Sequence, residues 1–136
     1  MIYLYFHTND PSKRKAAKWL KEHQLEFTQR NIEKQPLSGA EVRALFKLSL
    51  NGTNDLVSKR SKDTKALGQD PEDLTVNQLV SAIEKAPHIL KNPIIFDSHK
   101  LVTGFDKEKM GIFIPAEQRR HELSSMFHKL GGLSFA

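Results

Sequence analysis

The chain has 136 residues, 38% apolar and 27% charged. That is enough for one domain with its own core, and it excludes the low-hydrophobicity composition of a disordered chain. Lysine and arginine number 21 against 16 acids, for a formal net charge of +5, which favours contact with acidic surfaces, nucleic acid included, or marks only a soluble basic protein. There is no cysteine, so disulfides, thiolate nucleophiles and Cys-based metal sites are excluded, and no apolar run approaches the roughly 20 residues that span a bilayer.

The opening run Ile2 to Phe6 is apolar and aromatic and has no basic region before it. It reads as a buried strand and not as a signal peptide, so the expected compartment is the cytoplasm. Asp10-Pro11 supplies a helix start, with Asp10 as cap and Pro11 in the first turn. Ala16, Ala17, Trp19 and Leu20 then form the buried face of a helix to about His23. Leu25 to Ile32 reads as a second strand, and strand, helix and strand so close together predict a right-handed βαβ unit.

Beyond Pro36 the pattern turns helical. Ser38 and Glu41 fit a capping box leading into Val42, Leu45 and Phe46. Asn51-Gly52-Thr53-Asn54 breaks that helix, with Gly52 predicted to end it in the left-handed region. Asp55-Leu56-Val57 can start a short helix, Gly68-Gln69-Asp70-Pro71 is another break, and Thr75 with Gln78 forms a second capping box before Leu79, Val80 and Ile83; Pro87 closes that helix. Residues 36–90 thus read as a helical insert. Ile94 to Phe96 and Leu101 to Thr103 read as a strand pair around an Asp97-Ser98-His99 turn, Asp106 as the cap of a short helix, and Leu123, Met126, Phe127 and Leu130 as one face of a longer helix after Pro115, stopped by Gly131 and Gly132. A βαβ opening and a ββα ending make a thioredoxin-like α/β fold with a four-stranded mixed sheet, residues 1–35 and 91–136 forming the thioredoxin-like part of a single domain 1–136.

The six histidines (His7, His23, His88, His99, His121 and His128) show no metal-binding spacing, and no GxSxG elbow or phosphate loop is present. Helical spacing lines up Arg14, Lys18 and Lys21 on one exposed stripe, and Arg119-Arg120 and Lys59-Arg60-Ser61-Lys62 form two further basic clusters. Each reads either as a solvated face or as a patch for phosphates or an acidic protein.

From Asp10 to Leu20 the sequence resembles the Spx branch of the arsenate reductase-like family, whose pattern is a strand, Cys-x-x-Cys, Arg-Lys-Ala and a Trp-Leu pair. The agreement continues through Arg30-Asn31-Ile32, Pro36-Leu37-Ser38, Asn51-Gly52-Thr53, Arg60-Ser61-Lys62, Asn92-Pro93-Ile94-Ile95, Val102-Thr103-Gly104 and Ile114-Pro115. The resemblance implies a transcriptional regulator that binds the C-terminal domain of the RNA polymerase α subunit. The implied contact set is Lys47, Leu50, Asn51, Gly52, Thr53 and Arg60. It also implies a cis bond at Asn92-Pro93, no cofactor, a monomer when free and no membrane partner, with the basic clusters available to promoter DNA within the polymerase complex.

Two departures bear on chemistry. Asp10 and Lys13 stand where the family carries its redox cysteines, and Asn92 stands where an arginine commonly precedes the proline. Arsenate reduction needs a thiol nucleophile, so the expectation is a non-enzymatic protein without a thiol switch. Asp10 reads either as a plain helix cap or, paired with Lys13, as a permanent imitation of one redox state. Two other functions stay open at this point: a non-catalytic thioredoxin-fold adaptor with another protein partner, and a thiol-independent enzyme using the former active-site pocket.

Overall fold

The computed structural model describes residues 1–118. The alternation of Ile2 to Phe6 produces strand β1 (Ile2–Phe6), whose even and odd residues face opposite sides. Asp10 caps and Pro11 opens helix α1 (Pro11–Glu22), and β2 (Phe27–Asn31) returns parallel to β1 with Ile2 opposite Phe27. This strand is shorter than the Leu25–Ile32 predicted. Gln24 takes a positive φ of 55° and Leu25 N–H bonds back to Leu20 C=O at 3.0 Å, so the helix end claims those residues.

Five short elements follow before the sheet resumes: α2 (Gly39–Leu48), α3 (Thr53–Leu56), α4 (Lys62–Lys65), a 3-10 turn at Pro71–Asp73 and α5 (Val76–Lys85). Both predicted capping boxes form, Ser38 with Glu41 and Thr75 with Gln78. Two details differ from expectation. Helix α2 stops at Leu48, before Asn51, because Ser49 swings into extended backbone and its hydroxyl donates to Phe46 C=O at 2.8 Å. Gly52 therefore does not end that helix; it sits at the head of α3, which starts at Thr53 and not at Asp55. The one-turn helix α4, capped by Ser61, has no counterpart in the sequence reading.

A 3-10 turn at Pro87–Ile89 leads to β3 (Ile94–Phe96) and β4 (Leu101–Thr103), followed by α6 (Lys107–Met110) with Asp106 as the predicted cap. The strand order is β2-β1-β3-β4, with β1–β3 and β3–β4 antiparallel, which is the mixed sheet expected. The longer helix expected after Pro115 begins at 116–118; its continuation, its Gly131-Gly132 stop, the Arg119-Arg120 pair, His121 and His128 lie outside the described residues.

The sheet is covered on both faces. On one, Leu4, Ile95 and Val102 pack with Ala16, Trp19 and Leu20 of α1, and with Met110 and Phe113. On the other, Ile94 packs with Val42 and Leu45 of α2, Leu56 of α3, Val80 and Ile83 of α5, and Ile89 and Leu90. Ile94 and Ile95, adjacent and each fully buried, thus anchor two different cores. Burial of such side chains is worth about 1.5–3 kcal/mol each, which is how a chain without cross-links holds together.

Candidate functional site

Two places draw the sequence-predicted residues together. The first is the junction of β1 and α1. Asp10 is the N-cap of α1, and its Oδ1 accepts the Lys13 backbone N–H at 2.8 Å. A carboxylate here satisfies an orphan donor and sits in the positive end of the helix field. The Lys13 ammonium does not pair with it. Its Nζ lies 4.4 Å from the centre of the Phe6 ring, a cation–π contact, so of the two readings of Asp10 the plain helix cap is the one that forms.

Asn92, reached across the fold from the end of the insert, clamps the same junction. Its Oδ1 accepts the N–H groups of His7 (2.9 Å) and Thr8 (3.3 Å), and its Nδ2 donates to Thr8 C=O at 2.9 Å. An arginine would place a charge here; the asparagine instead closes three backbone hydrogen bonds. The Asn92–Pro93 bond beside it is cis.

His7 completes the junction. A carbonyl can only accept, so the 2.9 Å contact to Leu90 O places the proton on Nε2, and Nδ1 accepts from the Thr8 hydroxyl at 2.8 Å. Burial lowers the His7 pKa from its ordinary value, opposed by the Leu90 carbonyl and reinforced by the neighbouring His88. The two imidazole rings are tilted 32° to one another with centroids 4.2 Å apart, and His88 Nε2 lies 3.4 Å from Glu33 Oε2.

These residues open onto a cleft of about 560 Å³ that also takes in Ser58, Arg60, Ser61, Lys62, Asp63 and Lys91. Arg60, which the resemblance groups with Gly52 in one contact set, therefore lines the Asp10 cleft, while Gly52 lines a separate groove. The cleft's positive charge comes from the 60–62 segment and Lys91. It holds two carboxylates, hydroxyls and imidazoles but no thiol. Among the described residues no group of three or more His, Asp or Glu is placed to hold a metal ion.

The second place is the Gly52 turn. Gly52 has φ 57° and ψ −118°, the first central position of a type II′ turn, and Asn54 N–H closes it onto Asn51 C=O at 3.2 Å. A side chain is strained in that backbone conformation, although a Cβ on Gly52 would meet nothing within 4 Å. Asp55 organises the approach: its Oδ2 accepts the N–H groups of Leu50 (3.1 Å) and Asn51 (2.9 Å). The loop is also moored behind, by Thr103 Oγ1 donating to Asp55 C=O at 2.7 Å. Leu50 is 95% exposed and Val76 is 66% exposed. Val76 lines a groove with Phe46, Gly52, Thr53, Pro71 and Leu74, whereas Leu50 borders a separate cleft with Asp55 and Thr103. Lys47 is exposed in the last turn of α2. The structure thus brings Lys47, Leu50, Asn51, Gly52 and Thr53 into one neighbourhood and leaves Arg60 in the other.

The sequence reading missed His7, His88 and Glu33 as partners, and Asp55 as the organiser of the turn. Only the last had a signal, an aspartate four residues beyond Asn51. The basic stripe on α1 is partly spent internally, with Lys18 paired to Glu22 (3.8 Å) and the Arg14 guanidinium donating to Asn9 C=O (2.7 Å).

The β2-β1-β3-β4 sheet, the capped start of α1 and the clamp at Asn92-Pro93 define a thioredoxin-like α/β protein with a carboxylate at the N-terminus of its first helix. The ArsC family profile matches residues 5–113. Among curated proteins, the global transcriptional regulator Spx 1 of Lactococcus lactis is 38% identical over 125 residues, covering 92% of this chain and 98% of its own. The global transcriptional regulator Spx of Streptococcus pneumoniae is 35% identical over 131 residues, covering 96% and 98%. Among solved structures, an arsenate reductase from Vibrio cholerae superposes with a TM-score of 0.72 at 17% identity, covering 82% of this chain and 97% of the other. An arsenate reductase (ArsC) related protein from Brucella melitensis gives 0.61 at 18%, covering 82% and 92%. The chain belongs to the ArsC family, on its Spx branch.

Proposed function

We propose that this chain is a non-enzymatic transcriptional regulator that docks on the C-terminal domain of the RNA polymerase α subunit through the Gly52 turn, with no thiol redox switch. The observation that carries the reading is the presentation of Leu50 and Gly52. A leucine 95% exposed beside a glycine with open space above it is an apolar knob next to a backbone that a partner can approach closely. The curated relatives named as global transcriptional regulators supply the class of activity. The lack of any cysteine removes the nucleophile that arsenate reduction needs and the bond that a thiol switch would form. Asp10, engaged as a helix cap, does neither. The basic cleft around Arg60 and Lys62 would then face an acidic partner surface or promoter DNA in the assembled complex.

The test is a binding titration of the full chain against the isolated α C-terminal domain. Saturable binding is expected for the native chain and at least a tenfold loss for Gly52→Arg, with unchanged far-UV circular dichroism. A folded Gly52→Arg chain that binds as the native one does would place the contact elsewhere.

A further inference from the structure

Strand β4 is an edge of the sheet, and its register decides which backbone groups face outward. Val102 stands opposite Ile95. On either side of that pair, Asp97 N–H donates to Lys100 C=O (3.0 Å) and Gly104 N–H to Pro93 C=O (2.8 Å). Hydrogen-bonded pairs alternate along an antiparallel ladder, so 97 with 100, 95 with 102 and 93 with 104 are the bonded ones. Leu101 and Thr103 fall between them and turn their N–H and C=O groups away from β3. Among the described residues, no group outside the sheet bonds to these four. The Thr103 hydroxyl is engaged by Asp55 C=O, but its backbone is not.

This open edge is the floor of a cleft of about 400 Å³. Leu48 and the exposed Leu50 border it from the insert side. Ile112, exposed in the 3-10 turn Gly111–Phe113, borders it from the side where Phe113 packs under the sheet. The Lys100 ammonium donates to Ile112 C=O at 2.7 Å and fixes that turn against the strand. His99, Lys100 and the exposed Lys109 make the cleft basic. Among the described residues the one acid lining it is Asp55, whose Oδ2 already accepts the Leu50 and Asn51 N–H groups. A strand added to an edge presents its side chains alternately to the two sides. Here one row would meet Leu48 and Leu50, and the other Ile112 and Lys109. Edge pairing with a second copy would set Lys100 and Lys109 against their own counterparts, so charge favours an acidic partner over self-association.

We propose that the free edge of β4 is a docking groove for an extended segment of a partner protein, with acidic and apolar residues in alternation, which joins the sheet as a further strand. The groove shares the Leu50 border with the Gly52 turn but does not depend on polymerase docking.

The test is amide hydrogen exchange by NMR on the full-length chain, with a short end-blocked peptide of alternating valine and glutamate as the probe. Saturating peptide is expected to slow exchange at the Leu101 and Thr103 amides by roughly tenfold. The same peptide with lysine in place of glutamate should give no protection. A peptide N-methylated at every second amide, made in both registers, should lose the effect in the register that faces β4. Lys109→Glu, a change at an exposed side chain, should weaken binding severalfold. Unprotected Leu101 and Thr103 amides at saturating peptide overturn the proposal, as do peptide-induced shifts confined to the Asp10 cleft. Equal protection by the lysine peptide, or undiminished binding to Lys109→Glu, overturns the acidic partner, and full protection by both N-methylated peptides overturns strand addition. No polymerase subunit is present, so a negative polymerase titration leaves a positive result standing, and a negative result here leaves polymerase docking standing.

Discussion

At the scale of single residues, the chemistry of this chain turns on Asp10 and Lys13 at the start of α1. Asp10 is held by geometry, one oxygen on the Lys13 N–H, and Lys13 is held by the Phe6 ring. Asp10→Ala removes the cap and is expected to lower stability by about 0.5–2 kcal/mol in urea unfolding. Asp10→Asn, which keeps an acceptor, should recover most of that. If Asn proves as damaging as Ala, charge in the helix field outweighs the cap. Glu41 offers a pH test. The Arg30 guanidinium, then the Ser38 backbone N–H, hold its carboxyl below the usual carboxylate range. A depressed folded-state pKa contributes stability that is present above the unfolded value near 4.5 and lost as pH falls through the lower folded value. The urea midpoint of the native chain should therefore drop on acidification below about pH 4.5 more than that of Glu41→Gln. Parallel pH profiles for the two would remove Glu41 from the acid limb.

At the scale of elements, the insert carries the more informative features. Both capping boxes were legible because each is a local pattern four residues long, Ser38 to Glu41 and Thr75 to Gln78. The role of Gly52 was half legible. A glycine after an apolar helix reads as a helix stop, but the stop falls at Ser49 through a side-chain bond to Phe46 C=O, and Gly52 serves a type II′ turn held by Asp55. That distinction yields a paired prediction. Gly52→Ala keeps the surface nearly unchanged but forces a side chain into φ 57°, at a cost of about 1–3 kcal/mol in stability. Gly52→Arg carries the same backbone strain and adds a long side chain in the space above the turn. Similar unfolding midpoints for the two, with binding to the α C-terminal domain retained by Ala and lost by Arg, would attribute the loss to blocked approach. Equal loss of binding in both would attribute it to the turn's conformation.

At the scale of the whole molecule, the four-stranded mixed sheet was legible in the sequence. β1, β3 and β4 are short, mostly apolar runs, and a βαβ followed by ββα leaves few topologies to consider. The sequence did not carry what crosses the fold. Asn92 against His7 and Thr8 is a contact 85 and 84 residues long, and His88 on Glu33 spans 55. No local pattern encodes such pairs; they exist because the sheet order sets β3 beside β1. The same long reach explains why Arg60, eight residues from Gly52 in sequence, belongs to the Asp10 cleft. The two candidate regions are nonetheless joined: His7 holds the Leu90 carbonyl, and Ile89 and Lys91 on either side of it bond to Ser58 and Leu56 behind the Gly52 turn. In a relative with a thiol pair at the start of α1, oxidation changes both connectivity and charge there. Here neither Asp10 nor Lys13 changes with oxidant. The most direct measurement of the central claim is the affinity of the full chain for a cysteine-free α C-terminal domain, under reductant and again under a thiol-specific oxidant. Saturable binding of equal strength in both conditions is predicted; a severalfold difference between them, or no binding in either, would contradict the account.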